Sequence, residues 1–202
     1  MRVSDKFIAV LIIILIITIW CIYDNPDGFK TIKAPDGELY PVIESNNTNK
    51  AAEILSELNK MNVSLMRWLR EHHPHDPRVK LLLRRYDPNV IREHLPNVFT
   101  PETSFIQNKG EKACFCLREG TTTPNKNSPF DSMHTIKFVD LHEMAHLAES
   151  AYGHPRAFWQ TFKFLITSAK EAGLYDPINY KNSPEYYCGL RVAYNPYFDN
   201  SL

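Results

Sequence analysis

The chain of 202 residues has no excess of charge of either sign: 23 Lys and Arg balance 23 Asp and Glu. A global polyanion-binding surface is therefore excluded. Cysteine is sparse, at four residues. Cys21 lies in an apolar N-terminal run, and the odd remainder, Cys114, Cys116 and Cys188, excludes a dense disulfide framework. Cys116 could bridge to Cys188 in an oxidising compartment, or both could remain buried thiols. A strand carrying Cys114-x-Cys116 sends the two side chains to opposite faces, which argues against a second zinc site there. Internal repeats and low-complexity tracts are also lacking, so solenoid and tail-like architectures drop out.

One long hydrophobic run is present. Phe7 to Tyr23 holds seventeen residues without a charge, at the short end for a helix that crosses a bilayer. Trp20 and Tyr23 sit at one end, where aromatic rings favour the interface. No small-x-small cleavage site follows, so residues 1–23 read as an uncleaved signal anchor rather than a removed signal peptide. Arg2 and Lys6 before the run, and Asp24 and Asp27 after it, orient a single-pass membrane protein with a cytoplasmic N-terminus. Asn46-Asn47-Thr48 and Asn62-Val63-Ser64 match the glycosylation sequon.

Residues 24–46, rich in Pro, Gly and Asp, read as a juxtamembrane linker, and residues 47–202 as one domain with its own core. From Asn47 to about His72, Ile54, Leu55, Leu58, Met61, Leu65, Trp68 and Leu69 repeat at helical spacing. Pro74 and Pro77 break that helix, and a second follows to Tyr86. Thr103–Gln107 and Lys112–Leu117 read as strands joined through Asn108-Lys109-Gly110. Another helix begins near Ser132. The expected fold class is α+β, helices around a small sheet, behind the N-terminal span. His72, His73 and His75, among Arg67, Arg70, Arg78, Lys80, Arg84 and Arg85, read as a solvated helix face. The alternative is a docking patch for anionic lipid or nucleic acid.

The chemistry concentrates in His142-Glu143-Met144-Ala145-His146, an H-E-x-x-H motif, with Gly153-His154-Pro155 downstream. Positions i and i+4 share a helix face, so two imidazoles can converge on one ion, and Zn²⁺ suits nitrogen donors. Glu143, rotated about 100° from His142, can reach a water on the metal's open position and act as general base. Ile136, Phe138, Val139, Leu141, Met144, Ala145 and Leu147 mark a largely buried helix. His154 is the expected third ligand, with Gly153 ending the motif helix at positive φ and Pro155 starting the next. Glu149, on the same face, is a candidate for orienting a ligand histidine. Glu171 lies in a stretch that reads as an exposed helix end. Phe158, Phe162, Leu165 and Ala169 read as core.

The runs His142–Leu147 and Gly153–Trp159 resemble WLM and SprT-like zinc metallopeptidases, over about residues 132–173. Cys114-Phe115-Cys116-Leu117-Arg118 and Tyr187-Cys188-Gly189 look like uncharacterised WLM-type proteins of large DNA viruses. The resemblance implies a zincin-like fold, zinc held by His142, His146 and His154, and Glu143 as general base. The gap before His154 is longer than the common WLM spacing. Such relatives act on DNA-bound proteins, so the resemblance also keeps nucleic acid among the partners, beside a protein or peptide substrate. By analogy with zinc peptidases, Lys112–Leu117 is a candidate edge strand for substrate, and Tyr180, Tyr186, Tyr187 and Tyr194 are candidates to stabilise an oxyanion. The expected function is a membrane-anchored zinc metallopeptidase. Its rival is a catalytically silent, metal-stabilised membrane or virion protein that uses the same fold for binding.

Overall fold

The computed structural model describes residues 8–16, 28–97, 100–120 and 125–202. Among the described residues five α-helices appear in chain order: α1 (residues 8–16), α2 (Thr48–His72), α3 (Pro77–Arg85), α4 (Met133–Ala148) and α5 (Arg156–Glu171). The strands are β1 (Phe29–Lys33), β2 (Leu39–Ile43), β3 (Ile91–His94), β4 (Ser104–Gln107), β5 (Lys112–Cys116), β6 (Glu185–Tyr187) and β7 (Leu190–Val192). The class is α+β with small sheets, as the alternation of patterns along the chain implies.

The expected membrane span is overturned. Among the described residues no helix is long and apolar enough to cross a membrane. The single-pass placement and the anchoring through residues 7–23 are corrected with it. Residues 1–7 and 17–27 lie outside the described residues.

Of the stretch expected as a linker, the described residues 28–46 carry regular structure. β1 and β2 form an antiparallel hairpin, with Phe29 opposite Ile43 and Lys33 opposite Leu39. Tyr40, Val42 and Ile43 are buried, because alternation turns Tyr40 and Val42 onto the N-terminal half of α2. The folded unit therefore includes this hairpin, ahead of Asn47.

α2 follows its apolar stripe closely and ends where the His73 N–H donates to the Leu69 carbonyl (2.8 Å). α3 starts on Asp76, whose carboxylate accepts from the Arg78 N–H (2.8 Å), with Pro77 in the first turn. Asn62, in the second sequon, is buried on α2 and donates to Asp140 Oδ1 (3.1 Å), so it offers no glycosylation site.

The main sheet has the order β3-β5-β4, with β5 parallel to β3 and antiparallel to β4. β5 is thus central, not the edge expected of Lys112–Leu117. The strand that displaces it, Ile91-Arg92-Glu93-His94, carries no hydrophobic alternation, since its buried Glu93 is neutralised rather than exposed. Glu93 Oε1 accepts from Arg118 Nε (2.8 Å), and both side chains are fully buried. Glu93 Oε2 accepts the Ile43 N–H (2.8 Å), which fastens the hairpin to the sheet.

α4 is buried over most of its surface, with His142 and His146 only partly covered. One core cluster joins Phe138, Leu141 and Ala145 to the C-terminal half of α2, to α3 and to α5. The other joins Ile136 to β5, the hairpin and Tyr187. A disulfide links Cys116 at the end of β5 to Cys188, with Cα atoms 6.2 Å apart, and Cys114 is a free buried thiol. Cys188 (φ 49°) and Gly189 (φ 83°) form the two-residue turn between β6 and β7, where both positions need positive φ.

Candidate metal centre

His142 and His146 project from the same face of α4, one turn apart, and His154 comes back to them from the loop after the helix. Each offers one nitrogen, and these atoms all lie within 4.8 Å of one another. The closest pair, His142 Nε2 and His154 Nε2, is 3.0 Å apart. Tetrahedral zinc–nitrogen bonds of about 2.0–2.1 Å need donors about 3.3 Å apart. The group therefore needs only small side-chain shifts to fit.

The electrostatics agree with the geometry. Burial, then the neighbouring His146 and His154, push His142 down to about 3. Burial, then His154 and Lys109, push His146 down to about 4. Burial also lowers His154. All three are neutral imidazoles near pH 7, the form that binds a metal. The group could hold a metal ion, and among the described residues no further His, Cys, Asp or Glu joins it.

The desolvation comes from α5. The Phe158 ring stacks on His146 (4.4 Å between centroids) and meets the edges of His142 (4.9 Å) and His154 (4.6 Å). Phe162 closes on His142 from below (5.2 Å), and Trp159 flanks His154 (5.7 Å). Phe158, Phe162, Leu165 and Ala169 are all buried, as their helical spacing implied.

Glu143 is 5% exposed and lines the same cleft as the three histidines. Burial first, then the Asp140 carboxylate, push its pKa up to about 8, against a hydrogen bond from the Ile106 backbone. The cleft measures about 280 Å³, and its opposite wall is Ser104, Phe105 and Ile106 of β4 with Asn108, Lys109 and Tyr152. Phe105 and Cys114 face each other across β4 and β5. Because the Cys116 N–H donates to Thr103 O (3.0 Å), antiparallel alternation turns the backbone groups of Ser104 and Ile106 outward. Among the described residues no strand pairs with that outer edge.

Several expectations are revised. α4 ends at Ala148, five residues before Gly153. Gly153 (φ 73°) turns the loop instead of capping the helix. Glu149 does not reach a histidine: its Oε1 accepts from the Ser150 N–H (2.7 Å) and the Ala151 N–H (3.3 Å). Glu171 is exposed at the end of α5. Tyr180 is core, and Tyr187 donates to Cys116 O (2.6 Å). Tyr186 is exposed on β6. Only Tyr194 of the four approaches the centre, with its ring 5.3 Å from that of Trp159. His72 stacks on Trp68 (4.3 Å), and His73 meets the edge of Phe164 (5.1 Å), so these histidines serve surface packing.

Sequence reasoning missed Lys109 and Tyr152. Lys109 lay inside a turn signal, and Tyr152 is an 83% exposed ring in a loop. No known family profile matches the chain, and no solved structure matches it. It is similar to an uncharacterised protein of Acanthamoeba polyphaga mimivirus, 29% identical over 157 residues that cover 76% of each chain.

Proposed function

We propose that this chain is a zinc-dependent metallopeptidase of the H-E-x-x-H type, akin to the WLM and SprT-like families. The observation that carries the reading is Glu143. A carboxylate buried beside an open three-histidine cleft costs folding energy, and a purely structural metal site has no use for it. Three protein donors with a cleft before them also match a catalytic rather than a closed structural zinc site.

Bound zinc supplies a Lewis acid for the scissile carbonyl and lowers the pKa of a water toward neutrality. His142, His146 and His154 would hold it. A dication close to the Glu143 carboxylate favours its charged form, reversing the upward shift of the metal-free site. Glu143 then accepts a proton from the attacking water and delivers it to the leaving amide nitrogen. The outward backbone groups of Ser104 make β4 the candidate for binding extended peptide by strand addition, with the Ile106 N–H turned to Glu143. Phe158 and Trp159 keep water from the far side of the histidines.

The test is hydrolysis of a quenched-fluorescence peptide library by the zinc-loaded full chain. Zinc-dependent cleavage that falls at least about 10²-fold in Glu143→Gln supports the reading. Cleavage unchanged in that variant, or no cleavage by a chain that carries zinc, contradicts it and leaves a metal-binding protein without turnover.

A further inference from the structure

His142 and His146 are fixed by α4, but His154 is exposed and follows a loop that has no regular structure. A donor on such a segment needs something to hold it. The support comes from the turn between β4 and β5, on the other side of the cleft. Lys109 adopts positive φ there (57°) and points its ammonium at three backbone carbonyls: His146 (3.2 Å), Glu149 (3.0 Å) and Ala151 (3.1 Å). A lysine has three donors, and this geometry gives each an acceptor. The Tyr152 ring lies 4.6 Å from the same nitrogen, two residues before His154.

The turn itself is anchored. A Cβ on Gly110 (φ 125°) would collide with the Arg85 backbone carbonyl, so the turn can lie this close to α3 only with glycine there. Arg85 in turn donates from Nη1 to Leu147 O and Glu149 O, each at 2.9 Å. The last carbonyls of α4 and the loop that leads to His154 are therefore held by two cations brought in from separate elements.

We infer that Lys109 is a positioning residue for the metal: it fixes the Glu149–Gly153 loop so that His154 meets His142 and His146. The inference rests on the three-histidine metal reading. An ordinary helix cap would use the same carbonyls for stability alone. What sets Lys109 apart is that its acceptors span the helix end and the loop, and that its position borders the cleft.

The experiment is a double-mutant cycle on zinc affinity in the full chain, by competition with a chromophoric chelator. Variants are Lys109→Met, His154→Ala and the two together, each checked for folding without metal by circular dichroism. Lys109→Met is expected to weaken zinc binding about 10–100-fold, as loss of supporting groups does at other metal sites. In the His154→Ala background the same change should cost less than about threefold, since the ligand it acts through is gone. Equal losses in both backgrounds, or no loss in the first, would overturn the assignment. If Lys109→Met does not fold, Lys109→Arg replaces it under the same two criteria, because a planar guanidinium cannot copy the three-donor tripod. A wild-type chain that binds no zinc defeats the metal reading itself, whereas a wild type matched by Lys109→Met defeats only the role of Lys109.

Discussion

Glu143→Gln should stabilise the metal-free chain, and by more as the pH rises. Unfolded, the carboxyl ionises near its ordinary value of 4.5; folded, burial and Asp140 hold its proton on up to about pH 8. Between those values the folded state binds more protons than the unfolded one, so this group's contribution to stability falls as pH rises from about 4.5 to about 8. Gln has no such dependence. At 1.36 kcal/mol per unit, the gap between variant and wild type widens by about 3 kcal/mol from pH 5 to pH 8. A chain of this size shifts its Tm by about 2–4 °C per kcal/mol, which gives about 6–12 °C. Any unmet hydrogen bond of the Gln amide moves the whole curve without changing its slope. The assay is thermal unfolding of both chains, stripped of metal, across that pH range. A difference that stays constant with pH would refute the reasoning, because Glu143 would then be no more desolvated than an ordinary carboxylate.

Two further outcomes follow from the core. Arg118→Met leaves the fully buried Glu93 without its cation and should destabilise by about 3–5 kcal/mol in chemical denaturation; adding Glu93→Leu should recover much of that loss. Cys188→Ser opens the disulfide that spans 72 residues of sequence, with an expected cost of about 4 kcal/mol from the freed chain, read as a lower denaturation midpoint without reductant and no difference from wild type in its presence.

The elements around the site were legible because each announces itself locally. α2 carries its stripe, α3 follows the Pro74 and Pro77 break, α4 carries its motif and α5 its Phe158–Phe162–Leu165 spacing. The three histidines are also local, since i and i+4 on a helix fix two of them and a short loop returns the third. What remained hidden depends on long-range pairing. β3 reads as polar because Glu93 is neutralised by Arg118, 25 residues away. The β1–β2 hairpin resembles a linker by its Pro and Gly content, yet Tyr40 and Val42 are claimed by α2. With β3 unseen, β5 looked like an edge, and the true edge beside the cleft is β4. The anchor expectation rested on the apolar run and its flanking aromatics alone, and among the described residues no helix is long and apolar enough to cross a membrane. Lys109 and Arg85 escaped notice because a side chain that bonds carbonyls leaves no mark in a composition pattern.

The most direct measurement is metal content of the purified full chain by elemental analysis, alongside His146→Ala, His154→Ala and Glu143→Gln. The expected result is one zinc per chain in the wild type and in Glu143→Gln, with most of it lost in both histidine variants. A folded wild-type chain without metal after zinc loading, or zinc kept in full by both histidine variants, would contradict the three-histidine centre.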